Sequence, residues 1–114
     1  MNTTKAIDLL KNIYEKSKSV FPCEIQNIFL YGSYARGDYD NESDVDYLLT
    51  VDLDYTDIEK YRKQISEISS ELSLENDVLI SLHIHPTKQF NQYSNILPFY
   101  KNVLSEGIRY ASES

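Results

Sequence analysis

Apolar residues recur along this chain in two rhythms. Ala6, Leu9, Leu10, Ile13 and Tyr14 fall three and four apart, the spacing of one buried helix face, with Thr3 or Thr4 placed to cap it. That helix is expected to end before Phe21-Pro22, because a residue preceding proline disfavours helical dihedrals. Ile25, Ile28, Phe29, Leu30 and Tyr31 form a short apolar run ending at Gly32, and Val45, Tyr47, Leu48, Leu49 and Val51 form another. Both predict buried strands. Ile58, Tyr61, Ile65, Ile68 and Leu72 return to helical spacing and predict one amphipathic helix over Asp54 to Glu75, with Thr56 and Glu59 disposed as a capping box. A third strand is expected over Val78 to Ile84, closed by Pro86. Thr87 is placed to cap a short helical turn through Phe90, and Ile96, Phe99, Tyr100, Val103 and Leu104 predict a last helix that Gly107 ends. Ile108 and Tyr110 are expected to pack beyond it.

The order helix, strand, strand, helix, strand, helix predicts an α+β (mixed α/β) fold: a small mixed β-sheet flanked by helices. A chain of 114 residues suits one domain, residues 1–114, with one modest core. No repeat, linker or low-complexity tract interrupts it. Its single cysteine excludes an intramolecular disulfide and a cysteine-based zinc site. Cys23, between Pro22 and an apolar strand, is expected to be a semi-buried structural thiol. Most of the ten tyrosines sit at apolar-face spacing and belong to core and rim packing.

Eleven basic against eighteen acidic residues give a net charge of −7. That balance argues against a general electrostatic grip on nucleic acid. It suits a basic partner, or a nucleotide carried in with a cation. No stretch approaches the length of a membrane span, and the first residues lack the apolar core of a signal peptide. The expectation is a cytoplasmic protein with no membrane contact.

Charge is concentrated in the segment GSYARGDYDNESDVDYLL, residues 32–49, where five acidic side chains fall between Asp38 and Asp46. Such crowding is unfavourable unless a cation sits among them. Gly32-Ser33, delivered by a strand into a short helical turn, aims free backbone N–H groups outward, an anion site to which the Ser33 hydroxyl adds a donor. Asp44 and Asp46 stand two apart at the opening of the next strand, so both carboxylates share a face. Mg²⁺ typically takes one or two carboxylates with phosphate oxygens and water. An anion cradle opposite a carboxylate pair therefore suits a nucleoside triphosphate held through a metal ion. Asp38, Asp40 and Glu42 are expected to decorate a solvent loop.

Gly32-Ser33, Ala35-Arg36-Gly37 and Ser43-Asp44-x-Asp46, with the ending VLSEGIRY, resemble the minimal nucleotidyltransferase (MNT) family of the DNA polymerase beta-like superfamily. The resemblance implies that superfamily's core fold and transfer of a nucleoside monophosphate, AMP from ATP or another NTP, to a hydroxyl with release of pyrophosphate. It implies Asp44 and Asp46 as catalytic metal ligands for one or two Mg²⁺ ions, and Gly32 and Ser33 as triphosphate-binding. Arg36 would touch phosphate or brace the loop. Small members are often antitoxins paired with a HEPN-domain toxin, so a protein acceptor is implied, without direct nucleic-acid binding.

The superfamily usually adds a third carboxylate on the next strand. Counted back from that strand's end, the position falls near Leu79 or Ser81, where no acid stands. Counted from its start, Asp77 serves, the alternative being that Asp77 caps the helix-to-strand turn. Without it, the protein would be a weak enzyme or an inactive nucleotide-binding module acting by contact. His83 and His85 lack a third zinc ligand, and His83 is the one expected near the acceptor.

Overall fold

The computed structural model describes residues 1–111. Among them are α1 (Thr3–Ser17), β1 (Ile25–Tyr31), α2 (Ser33–Arg36), β2 (Val45–Val51), α3 (Tyr55–Glu59), α4 (Arg62–Asn76), β3 (Ile80–Pro86), α5 (Thr87–Tyr93), α6 (Pro98–Glu106) and β4 (Ile108–Arg109). The strands form one mixed sheet in the order β3-β2-β1-β4. β1 runs antiparallel to β2 and β4, and β2 runs parallel to β3 through the helical crossover α3–α4.

Helices cover both faces of β2, which explains why its sequence is apolar almost throughout. On one face Ile28, Leu30, Val45, Tyr47, Leu49 and Ile80 join Ala6, Leu9, Leu10 and Ile13 of α1 and Leu72 of α4. Tyr47 is fully buried there, yet its hydroxyl donates a 2.6 Å bond to the Ala6 carbonyl. That bond satisfies the one polar group its burial would otherwise strand. On the other face Phe29 and Leu48 pack against Phe90 of α5 and Tyr100 and Val103 of α6. A third cluster, Phe21, Val51, Ile58 and Ile65, closes the end of the sheet.

Four helix starts differ from the sequence expectation; the last helix begins at Pro98, after the N-cap Leu97, and leaves Ile96 outside it. Asn2, not Thr3 or Thr4, caps α1, its side chain accepting from Lys5 N at 2.8 Å. Thr3 instead donates to the Tyr34 carbonyl at 2.7 Å, tying α1 to α2. The expected helix over Asp54 to Glu75 is two helices, interrupted at Lys60-Tyr61, and Asp54 caps the first by accepting from Asp57 N. Pro86 precedes α5 as its N-terminal boundary residue, without a side-chain cap, so Thr87 is its first residue.

β3 begins at Ile80, two residues later than Val78. The reason lies in α4, whose C-cap is Asp77 in the left-handed region (φ 51°), a conformation a short polar side chain tolerates best after glycine. Ser69 and Ser73 then clamp the strand's first residue. Ser69 Oγ donates to the Ile80 carbonyl, and Ile80 N donates to Ser73 Oγ at 2.9 Å. This clamp sets the β2–β3 register, in which Asp46 lies beside Ser81.

Gly107 returns the chain from α6 to the sheet edge. A Cβ there would stand 2.3 Å from the Val103 carbonyl oxygen and 3.3 Å from that of Leu30. Both obstacles are backbone and cannot rotate away. Gly107→Ala should therefore destabilise the fold by about 1–3 kcal/mol, read as a lower urea midpoint, whereas Gly37→Ala meets nothing within 4 Å and faces only its φ of +86°.

Candidate active site

β1 ends at Tyr31, and Gly32 turns the chain into the four-residue helix α2 with φ 74° and ψ −156°, a region open essentially to glycine alone. Its bare Cα faces Asp46: a Cβ on Gly32 would lie 3.2 Å from Asp46 Oδ2. The N–H groups of Ala35 and Arg36 bond to the Gly32 carbonyl, which leaves those of Ser33 and Tyr34 as first-turn donors without an acceptor inside the helix. Backbone donors and a carboxylate thus meet across one narrow gap.

Several anchors hold that turn. Tyr34 is buried and stacks on Tyr39 at 4.2 Å between ring centroids, while the Thr3 bond fixes its carbonyl. Arg36 bonds to Asp38 at 3.1 Å and to Glu106 of α6 at 3.2 Å. Of the two roles open to Arg36 in the sequence, this geometry is that of a brace.

Asp46, the second residue of β2, is partly buried between Tyr31 on β1 and Ser81 on β3. Burial pushes its carboxyl above the ordinary range; nearby His83 works against that shift and the charge of Asp44 adds to it. Asp44, immediately before β2, is exposed. Asp38, Asp40 and Glu42 are exposed as well, in a loop closed by the Asp40 and Ser43 side chains.

The third acidic position is not filled from β3. Ser81, the neighbour of Asp46, is no acid, and Asp77 is exposed at the end of α4, outside the strand. Among the described residues no three His, Cys, Asp or Glu side chains converge as a ready metal cage. The fit to a divalent ion rests instead on the donor set: two neighbouring carboxylates, one partly buried, beside a backbone cradle that a Cβ would fill. That set suits a hard ion sharing its remaining positions with phosphate oxygens.

His83, also on β3, is exposed, with Nε2 4.0 Å from Asp46 Oδ1 and its ring 6.2 Å from that of Tyr31. Burial, and then Asp46, holds the Tyr31 phenol well above its ordinary value, so it stays a proton donor. His85 is engaged elsewhere. Its Nδ1 lies 2.6 Å from the Tyr100 hydroxyl, which also accepts from Gln89 Nε2 at 2.9 Å. Burial, then His83, lowers the affinity of His85 for a proton. A cavity of about 530 Å³ runs along the free edge of β3, lined by Tyr55, Arg62, Ser69, Ser81 and His83 among others.

Three of these relations escaped the sequence reading. Tyr31 beside Asp46 follows from the antiparallel register of β1 and β2, which pattern alone does not set. The Arg36–Glu106 tie joins residues seventy apart. The Tyr55, His85, Gln89 and Tyr100 group gathers from four separate elements.

Comparison with known proteins identifies the family. The family profile of the nucleotidyltransferase domain matches residues 9–110. A protein of Methanocaldococcus jannaschii, named as a candidate protein adenylyltransferase, is 36% identical over 107 residues, covering 94% of this chain and 96% of its own. A second protein of that organism with the same designation is 41% identical over 75 residues, 66% of this chain and 74% of its own. In fold, the chain resembles a candidate nucleotidyltransferase of Sulfolobus solfataricus, with TM-score 0.61 and 17% identity over 97% of this chain and 84% of that one. A toxin–antitoxin complex determined with AMP-PNP gives TM-score 0.55 and 22% identity over 99% of this chain and 76% of the other. Nearly the whole length of the chain thus falls within the nucleotidyltransferase domain family, to which this protein belongs.

Proposed function

We propose that the protein transfers AMP from ATP, with Mg²⁺, to a hydroxyl on a partner protein. The observation that carries this reading is the approach of the Gly32 backbone to the Asp46 carboxylate. It joins phosphate-binding donors to a metal-binding acid in one gap. The choice of a protein acceptor is supported by the archaeal relatives named for protein adenylylation. It is supported further by a fold neighbour, an MNT antitoxin in complex with an AMPylated HEPN toxin of Shewanella oneidensis. A HEPN-type partner is the acceptor to try first.

In this reaction the acceptor oxygen bonds to the α-phosphorus as the bond to the β-phosphate oxygen breaks, pyrophosphate leaves, and the hydroxyl proton passes to solvent. Ser33 and Tyr34 N–H groups, with the Ser33 hydroxyl, orient the terminal phosphates. Asp44 and Asp46 would hold the ion, which supplies neutralisation of the charge on the departing pyrophosphate. Arg36 keeps the turn closed through Asp38 and Glu106. The protein's contribution is mostly positioning and electrostatics.

A second reading, nucleotide binding with little or no transfer, is favoured by one observation: Ser81, not an acid, stands beside Asp46. Incubation with α-³²P-ATP, Mg²⁺ and a cognate HEPN partner separates the two. Transfer labels the partner, and Asp44→Asn with Asp46→Asn lowers the rate by about 10²–10³-fold or more. Unchanged labelling in the double variant removes these residues from the mechanism. Tight Mg²⁺-ATP and partner binding without label supports the second reading.

Two further outcomes follow from the same gap. Gly32→Ala places a methyl 3.2 Å from Asp46 Oδ2 at a φ of +74°, so Mg²⁺-ATP affinity by calorimetry should fall about tenfold or more while the fold survives. The raised carboxyl of Asp46 means its neutral form suits the fold better than its charged form. That contribution to stability is present below the ordinary carboxylate range and lost as pH rises through the raised value. Asp46→Asn should therefore raise the melting temperature of the metal-free protein at neutral pH. The gain should shrink on acidification and reverse once Mg²⁺-ATP is added.

A further inference from the structure

We propose that His83 is itself a metal ligand, sharing one ion with Asp46, and that the site consequently favours Mn²⁺ or Co²⁺ over Mg²⁺. The inference rests on the nucleotide-site reading above and names the donor that reading lacks.

The separation of Asp46 Oδ1 from His83 Nε2, 4.0 Å, is too long for a hydrogen bond. It is a few tenths of an ångström to about 1 Å wider than the roughly 3–3.6 Å between neighbouring donors on one ion with bonds of about 2.0–2.2 Å, a gap that a small rotation of the exposed imidazole closes. The two residues reach this position from adjacent parallel strands. Asp46 pairs with Ser81 and Leu48 with His83, so their side chains rise on the same sheet face, one step apart. The serine clamp between α4 and Ile80 holds that register. His83 is exposed, whereas His85, the other histidine, is committed to Tyr100. The exposed imidazole therefore has its Nε2 beside the acid that borders the Gly32 turn.

Chemistry assigns the preference. Carboxylate, phosphate and water oxygens suit Mg²⁺, while imidazole favours later first-row ions. With Asp46 and His83 as protein ligands beside the phosphates, no third carboxylate is needed. That accommodates both the serine at position 81 and the placement of Asp77 at a helix end.

The test uses Mn²⁺ as probe, with the full chain, a non-hydrolysable ATP analogue, and histidine labelled with ¹⁵N so that adenine nitrogens do not interfere. Pulsed electron paramagnetic resonance should show ¹⁵N hyperfine coupling in the wild type and in His85→Gln, and none in His83→Gln. Titration should show Mn²⁺ affinity falling at least about tenfold in His83→Gln, with Mg²⁺ affinity changing less. Circular dichroism confirms that each variant is folded. Mn²⁺ bound in an Asp46-dependent way with no ¹⁵N coupling overturns His83 ligation and leaves the nucleotide-site reading standing. A folded protein that binds no Mn²⁺ with the nucleotide analogue overturns both.

Discussion

The close passage of the Gly32 backbone past the Asp46 carboxylate is the constraint on which the site depends. A side chain at position 32 would stand 3.2 Å from Asp46 Oδ2, and the φ of +74° there excludes most other residues on conformational grounds alone. Once the gap exists, the rest of the local structure serves to keep it from closing or drifting. Tyr34 plants α2 in the core, Thr3 ties its carbonyl to the start of α1, and Arg36 straps it to α6. These ties come from different parts of the chain, so the four-residue turn does not have to be stable by itself, which so short a helix would not be.

Asp46 is the counterpart of that arrangement and works against folding. A partly buried carboxylate whose charge is disfavoured by desolvation and by Asp44 is tolerated because the strand carrying it is fixed elsewhere. Val45, Tyr47, Leu48, Leu49, Thr50 and Val51 are all fully buried. At about 1.5–3 kcal/mol for each large apolar side chain, β2 holds its place whatever the cost of one strained acid at its mouth. The order of residues along β2 thus separates stability, on the alternate and later positions, from chemistry at the opening. Ligand or metal binding at the proposed site would relieve what folding left unfavourable, coupling its occupancy to the stability of the sheet.

Much of this was legible in the residues and some was not, for physical reasons. β1 and β2 are apolar enough, and bounded clearly enough by Gly32 and the acidic loop, that their extents agree with the pattern. The Gly-Ser turn and the Asp44/Asp46 pair are local features, within reach of short-range spacing rules. Helix starts were harder. Asn2 and Asp54 outcompete the neighbouring threonines as caps, a difference of less than a kcal/mol that pattern does not resolve. The break at Lys60-Tyr61 leaves the apolar spacing intact, since Ile58 and Ile65 both reach the same cluster. Asp77 was open to two readings, an acid at the start of the strand or a cap of the helix-to-strand turn, and it is the C-cap of α4. Its left-handed backbone, set by the end of α4 and the serine clamp, removes it from the strand. Register is a tertiary property, so the meeting of Asp46 with Tyr31, Ser81 and His83 could not be read before the strands were paired.

Charge decides what approaches the gap. Asp38, Asp40, Glu42 and Asp44 are exposed on the loop leading into β2, and the chain as a whole carries −7. A nucleoside triphosphate entering alone would meet repulsion, whereas one carrying a divalent ion brings the neutralising charge with it. A polyanionic acceptor such as a nucleic acid has no such escape and would meet the same acidic rim along its length. A hydroxyl on a folded protein is different: its neighbours can be neutral or basic, and a basic surface would be drawn toward the rim before docking. Under the proposed transfer to a partner, the acidic loop would therefore act as a filter on the acceptor. On that proposal it would favour a protein surface over nucleic acid through long-range electrostatics, and the short-range work of transfer would fall to the turn and strand behind it.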